Sequence, residues 1–358
     1  MRIFKTLVWA AASVGSARAY WMNDVQHLGK APYNADPNYK VFRNVKDYGA
    51  KGDGVADDTA AINLAISSGN RCGPQQCKGE TTSPAVVFFP SGTYRISSSI
   101  LDYYYTQLIG DPTSRPVLKA TSNFPVSTTL GVLDGNRYGA DGLAWKAVNV
   151  FFRQIANLVI DTTAIPASQA AVGIHWPSAQ ATSLTNVEFR LNADAGTQHT
   201  GLFIEEGSGG LLNDLVFRGG LVGAKLGNQQ YTARNLQFYG CGTAISQLWD
   251  WGWTYKSLLV QDCGVGIDMV DTNTASLVIL DSKFVRVPTA ITSKRNGAST
   301  SPKAAGSLIM ENCVFDQVSK ILVAPDGTVL SGNAKGSVSV PGFVDVSSLS
   351  RGLARLCC

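Results

Sequence analysis

Charge is what this 358-residue chain has least of: only 16% of its residues are charged, against a usual quarter. Disorder needs low hydrophobicity and high net charge, and with 45% apolar residues that class is excluded. The 30 basic and 26 acidic residues leave a formal charge of +4, too near balance to imply nucleic acid as a partner. Gly at 36 and Pro at 14 are too few for a collagen-like or low-complexity chain. Past the N-terminus no run approaches the length of a membrane-spanning helix, so no membrane partner is expected. No metal-ligand cluster, cofactor loop or Asn-x-Ser/Thr acceptor occurs, so neither metal nor cofactor is expected. A large β-rich globular protein remains, long enough for about two domains.

What is present begins with Met1 to Ala19, which reads as a secretory signal. Arg2 and Lys5 form the basic start, Leu7 to Val14 the apolar stretch, and Ala17-Arg18-Ala19 a small-x-small cleavage site. A buried first helix is the rival reading. Removing the signal takes Arg2, Lys5 and Arg18 with it and lowers the formal charge from +4 to +1. Secretion makes disulfides admissible. Cys72 and Cys77 bracket Gly73-Pro74-Gln75-Gln76, a turn that lets a short disulfide close, whereas zinc would need ligands the neighbourhood does not supply. Cys241, Cys263 and Cys313 sit in apolar repeats and read as buried thiols, and Cys357 and Cys358 close the chain.

The informative pattern is a repeat. Asn157-Leu158-Val159-Ile160 recurs as segments ending at Phe189, Phe217, Phe238, Val260, Phe284 and Phe315, with spacings of 29, 28, 21, 22, 24 and 31 residues. Within each, the second and fourth residues are mostly apolar, which is strand alternation with one buried face. A second short apolar strand follows most of them, as at Val222-Gly223-Ala224, Thr243-Ala244-Ile245, Val265-Gly266-Ile267 and Thr289-Ala290-Ile291. One coil of two or three strands per two dozen residues predicts a right-handed, single-stranded parallel β-helix, an all-β fold. A leucine-rich repeat lacks its motif here, and a jelly roll would not repeat one orientation. The parallel coils are expected from about Val86 to Val340, with Phe189, Phe217, Phe238 and Phe284 stacked inside. Asp57 or Asp58 can cap a short helix over Ala60 to Ile66 that plugs the open end of the stack.

Asp47-Tyr48-Gly49-Ala50-Lys51-Gly52-Asp53-Gly54, Asp57-Asp58-Thr59 and Phe88-Phe89-Pro90-Ser91-Gly92-Thr93-Tyr94 resemble the opening of the pectate-lyase-like β-helix superfamily, a signature of fold more than of activity. A narrower resemblance is carried by Phe152-Arg153-Gln154-Ile155, Asn157 to Asp161, Gly173-Ile174-His175-Trp176, Ala179 to Leu184, Gly207-Ser208-Gly209-Gly210, Gly227 to Gln230 and Trp249-Asp250-Trp251-Gly252-Trp253. Together these are similar to fungal exo-β-1,3-glucanases of glycoside hydrolase family 55, over about Tyr20 to Val340. That family has two β-helices in tandem, substrate between them, and its general-acid glutamate in the second. The chain is therefore expected to divide into the signal at 1–19, a first β-helix at 20–340, and an irregular tail at 341–358 that has no strand pattern and does not resemble the family's linker, where a longer product is truncated.

Glycoside hydrolysis ordinarily uses two flanking carboxylates, and no such pair emerges. Asp57 and Asp58 belong to the cap, and Glu205 and Glu206 are chain neighbours facing opposite sides of a strand. The motifs of polygalacturonases and the aspartate column of calcium-dependent lyases are absent. Nine residues before successive anchors stand Gln180, Ser208, Gln229 and Trp251. Equal offsets stack them on consecutive coils, either as an outward sugar-binding column or as an internal polar ladder. In the resembled family the attacking water is held by polar groups without a carboxylate base, and Gln180 and Ser208 match those positions. Trp249, Trp251 and Trp253 alternate and so share one face, either a sugar platform or an aromatic core cluster. His175 and Trp176 line the same cleft, or His175 is packed in the core.

The leading expectation is the first half of a secreted, inverting exo-β-1,3-glucanase acting on laminarin-type β-glucan, with a second β-helix domain as its missing partner. The alternatives are a β-helix that binds a polysaccharide without cleaving it, and a pectin-active lyase or hydrolase.

Overall fold

The computed structural model describes residues 21–269, 274, 276–294, 307–325, 327–342 and 344–345. The signal at 1–19, Cys357, Cys358 and the tail beyond 345 lie outside the described residues.

Each recurring motif opens with a residue suited to a corner. Asn157, Asn186, Asp214, Asn235, Ser257, Asp281 and Asn312 all have φ between 49° and 61°, the left-handed region that Asn and Asp enter at low cost. Their side chains also join coil to coil: the Asn186 amide donates to Asn157 Oδ1 at 2.9 Å, Asn235 to Asp214 at 2.6 Å, and Asn312 to Asp281 at 2.7 Å. The corner turns the chain and a strand follows.

Three strands per coil result, each pairing in parallel with its counterpart one coil away. Tyr94, Leu118, Ile160, Phe189, Phe217, Phe238, Val260, Phe284 and Phe315 stand in unbroken register and are all fully buried. The Phe189, Phe217 and Phe238 rings stack with centroids 4.6 Å apart, and Phe284 and Phe315 at 5.2 Å. A second column runs Ile174, Leu202, Ala224, Ile245, Ile267, Ile291. A third runs Ile155, Leu184, Leu212, Ala233, Tyr255, Ile279. The three columns line one elongated core inside a right-handed parallel β-helix.

The parallel stack begins before Val86, because strand Phe42–Asn44 already pairs with Ala85–Phe89. It also stops before Val340. Strand Gly327–Val340 runs antiparallel to Cys313–Ala324, and Val344–Asp345 antiparallel to Ser307–Glu311. The expected parallel coils to Val340 are corrected accordingly, and the expected irregular tail starts with a short strand. Helix Thr59–Ser67 turns Ile62, Ala65 and Ile66 into the core. Asp58 occupies its N-cap but bonds the Lys51 and Gly52 amides at 2.5 and 3.1 Å instead of capping; Asp57 accepts from the Thr59 amide at 3.1 Å. Cys72 and Cys77 are disulfide-bonded, with Cα atoms 5.5 Å apart, while Cys241, Cys263 and Cys313 are buried thiols.

Candidate functional site

The site forms where each coil turns between its last and first strands. Ser178 bridges to Gly207, the Gln229 amide bonds the Gly207 carbonyl at 3.3 Å, and Asn228 pairs with Asp250, which bridges to Thr274. Ser178, Asn228, Asp250 and Thr274 are all buried. The internal polar ladder therefore exists, but one residue earlier than the column expected. Gly207 belongs to it, with φ +140°, and a Cβ there would run into the Ser178 carbonyl and the Asn228 amide.

One step outward along the chain come Ser208, Gln229 and Trp251. Gln180 is displaced by one, since the Ser178–Gly207 bridge and the Ser208 amide bond to Ser178 set Ala179 beside Ser208. The bridge spans 29 residues while the strands that follow pair at 28 (Ser183 with Leu211), so equal offsets fail across this turn. The Gln180 side chain nevertheless reaches across: Ser208 Oγ donates to Gln180 Oε1 at 2.9 Å, and Gln180 Nε2 donates to the Ser208 carbonyl at 3.0 Å. Gln230, not Gln229, is the third member, donating to the same carbonyl at 3.3 Å. Gln180 is exposed, Ser208 nearly covered and Gln229 half-buried. A water donating to Gln180 Oε1 and Ser208 Oγ would use free acceptor capacity on both and keep its own lone pairs outward.

The three tryptophans do not share a face. Trp251 is 68% exposed and Trp253 1%. Trp253 stacks on Tyr231 at 4.6 Å and donates to the Asn228 carbonyl at 3.0 Å inside the coil. Trp249 is half-buried and donates to the Glu205 carbonyl at 2.7 Å. A register shift between Leu226 and Gly227, followed by the corner that buries Asp250, breaks the alternation the three rings were expected to follow. Trp253 is thus corrected to core, leaving Trp251 and one edge of Trp249 at the surface. Trp176 is corrected likewise: it is fully buried, with the Arg153 guanidinium 4.6 Å over its ring.

His175 is fully buried and cannot line a cleft, yet it is not an inert core histidine. Its strand aligns it with Asp134 on one side and Phe203 on the other. Nδ1 meets Asp134 Oδ1 at 2.8 Å and Nε2 meets Glu205 Oε1 at 2.9 Å, while the Tyr138 hydroxyl donates to the same Glu205 oxygen at 2.6 Å. Burial opposes charging the imidazole, but the two carboxylates outweigh it and hold His175 above its ordinary value. Burial would raise Glu205, and the His175 and Tyr138 bonds hold it below instead. Asp134 and Tyr138 escaped the sequence reading, and Glu205 was weighed only as a partner of Glu206; the available signal was that Glu205 lies two residues past the register partner of His175. Glu205 also leads into Ser208, and its carboxylate is committed to His175 and Tyr138 rather than to the Gln180–Ser208 pair.

A family model described as rhamnogalacturonase A/epimerase, pectate lyase-like, matches residues 42–268. The chain is 45% identical over 335 residues to a glucan 1,3-beta-glucosidase of Cochliobolus carbonum, covering 91% of this chain and 42% of that protein. It is 46% identical over 330 residues to a probable glucan endo-1,3-beta-glucosidase of Arthroderma benhamiae, covering 90% and 37%. The chain thus spans about two-fifths of the length of these curated relatives. Among solved structures, a family 28 exopolygalacturonase of Yersinia enterocolitica superposes with a TM-score of 0.53 at 13% identity over 79% of this chain and 60% of that one, a likeness of fold alone.

Proposed function

The chain belongs to the rhamnogalacturonase A/epimerase, pectate lyase-like family, and from that premise we propose that it is a secreted polysaccharide-acting β-helix, the water-positioning half of an inverting exo-β-1,3-glucanase. The observation that carries this reading is the Gln180–Ser208 pair, joined across adjacent coils at the surface. Its oxygens are 2.9 Å apart, close enough for one water to touch both. In an inverting hydrolysis that water attacks the anomeric carbon from the face opposite the leaving group, while an acid protonates the leaving oxygen. The acid belongs to a second domain in this reading, which the greater length of the glucan-active relatives supports. Trp251, Gln229 and the exposed edge of Trp249 would contact the sugar chain.

Two measurements test it. The chain alone, incubated with laminarin, is expected to release almost no glucose, because general acid catalysis worth about 10²–10⁴-fold is missing. Robust release would refute the division of labour. In a full-length relative, the change corresponding to Gln180→Ala is expected to lower kcat far more than it raises KM, since water placement matters in the transition state and little in ground-state binding. An unchanged kcat would remove Gln180 from the mechanism and favour a β-helix that binds polysaccharide without cleaving it.

A further inference from the structure

Beside the Asp134–His175–Glu205 network lies a cavity of about 450 Å³, within the range of small-molecule sites. Ser98, Ser99, Thr128 and Thr129 line it, Asp134 contributes to its wall, and Arg137 and Tyr138 stand at its edge. We propose that this cavity is a binding site for a neutral sugar of one or two hexose units, separate from the Gln180–Ser208 pair, with the Tyr138 ring as its platform.

Three features carry the assignment. The Tyr138 ring is 48% exposed yet fixed, because its hydroxyl is tied to Glu205 and its plane lies 18° from that of His175, 6.1 Å away. A fixed, half-exposed aromatic beside a hydroxyl-lined wall suits a pyranose, which has an apolar face and a polar rim. The carboxylates of Asp134 and Glu205 both bond His175 and Arg137 is the guanidinium among the lining residues, so two carboxylates beside it disfavour a uronate or a phosphate. Finally, both ring nitrogens of His175 are engaged by carboxylates, so the imidazole holds the wall in place and offers no free base. The site binds; it does not react.

The proposal rests on the chain handling polysaccharide, not on its hydrolysing one. Isothermal titration of the full chain with laminaribiose, cellobiose, maltose and digalacturonate tests it. At least one neutral disaccharide is expected to bind saturably and digalacturonate not to bind. Tyr138→Ala is expected to weaken binding about tenfold, a value of 1.4 kcal/mol, while Tyr138→Phe keeps the ring and most of the affinity. Thr128→Trp, a change at an exposed position, fills the cavity and is expected to abolish binding with an unchanged melting temperature. Equal affinity in Thr128→Trp, preference for digalacturonate, or no saturable binding of any neutral disaccharide would each overturn the proposal. Binding of cellobiose or maltose but not laminaribiose would uphold the cavity and count against the β-1,3-glucan reading.

Discussion

A single residue shows how strongly the core is specified. Phe217 has no exposed surface and lies between Phe189 and Phe238, parallel to both within 5°. Phe217→Ala is expected to cost about 3–5 kcal/mol, the transfer loss plus a cavity that stacked neighbours on either side cannot close. Chemical denaturation reads this directly, and an unchanged midpoint would contradict the packing. The same scale shows what was legible. The anchors from Ile160 to Phe315 could be read because apolar identity and spacing coincide, and all seven stand in one register. Gln180 and Ser208 were brought together by that spacing with an error of one residue, which the length of the glutamine side chain absorbs. Trp253 was misplaced because alternation holds along a strand and fails across a corner, and Trp176, set in the cleft beside His175, is fully buried. Asp134, His175 and Glu205 were not joined because they sit in a different column from the repeat motif, 41 and 30 residues apart.

At the scale of the element, the corner decides whether a coil forms. Asn186 has φ 54° and donates to Asn157. Replacing it by Gly keeps the conformation and loses the hydrogen bond, a cost of about 1 kcal/mol. Replacing it by Val loses the bond and forces a β-branched residue into the left-handed region, adding about 1–3 kcal/mol. The ordering is the prediction: Asn186→Gly should unfold at higher denaturant than Asn186→Val. The reverse order would mean that the corner is held by its neighbours and not by its own backbone preference.

Over the whole molecule, ionisable groups set a pH window. Burial pushes the Asp102 carboxyl up to about 7 against the opposing charges of Arg153 and Arg71. Its contribution to stability is fully present below the unfolded carboxyl value of about 4 and is lost as pH rises through the folded value. His175, held above its ordinary value, adds a contribution with the same sign. Glu188 is held low: burial opposes its charge, but Arg190, Arg115 and Arg218 prevail. With Glu205, also held low, it gives stability that is present above about pH 4 and lost below it. Melting temperature is therefore expected to peak at about pH 4–5, where the low-held glutamates are ionised and Asp102 has only begun to lose its contribution, and to fall on both sides. A peak above pH 8 would show that Asp102 and His175 do not carry the charges assigned to them.

The strand that reverses direction, Gly327–Val340, has one more consequence. A parallel coil exposes a ready template on its open rung, and two such molecules could join end to end into a filament. This strand instead meets its neighbour with three register shifts and places Ser331, Asn333, Lys335 and Ser337 in solvent. Charge, polarity and irregular spacing on an edge discourage an incoming strand. Among the described residues, reversal at that rung therefore leaves an edge that disfavours parallel addition of a second copy.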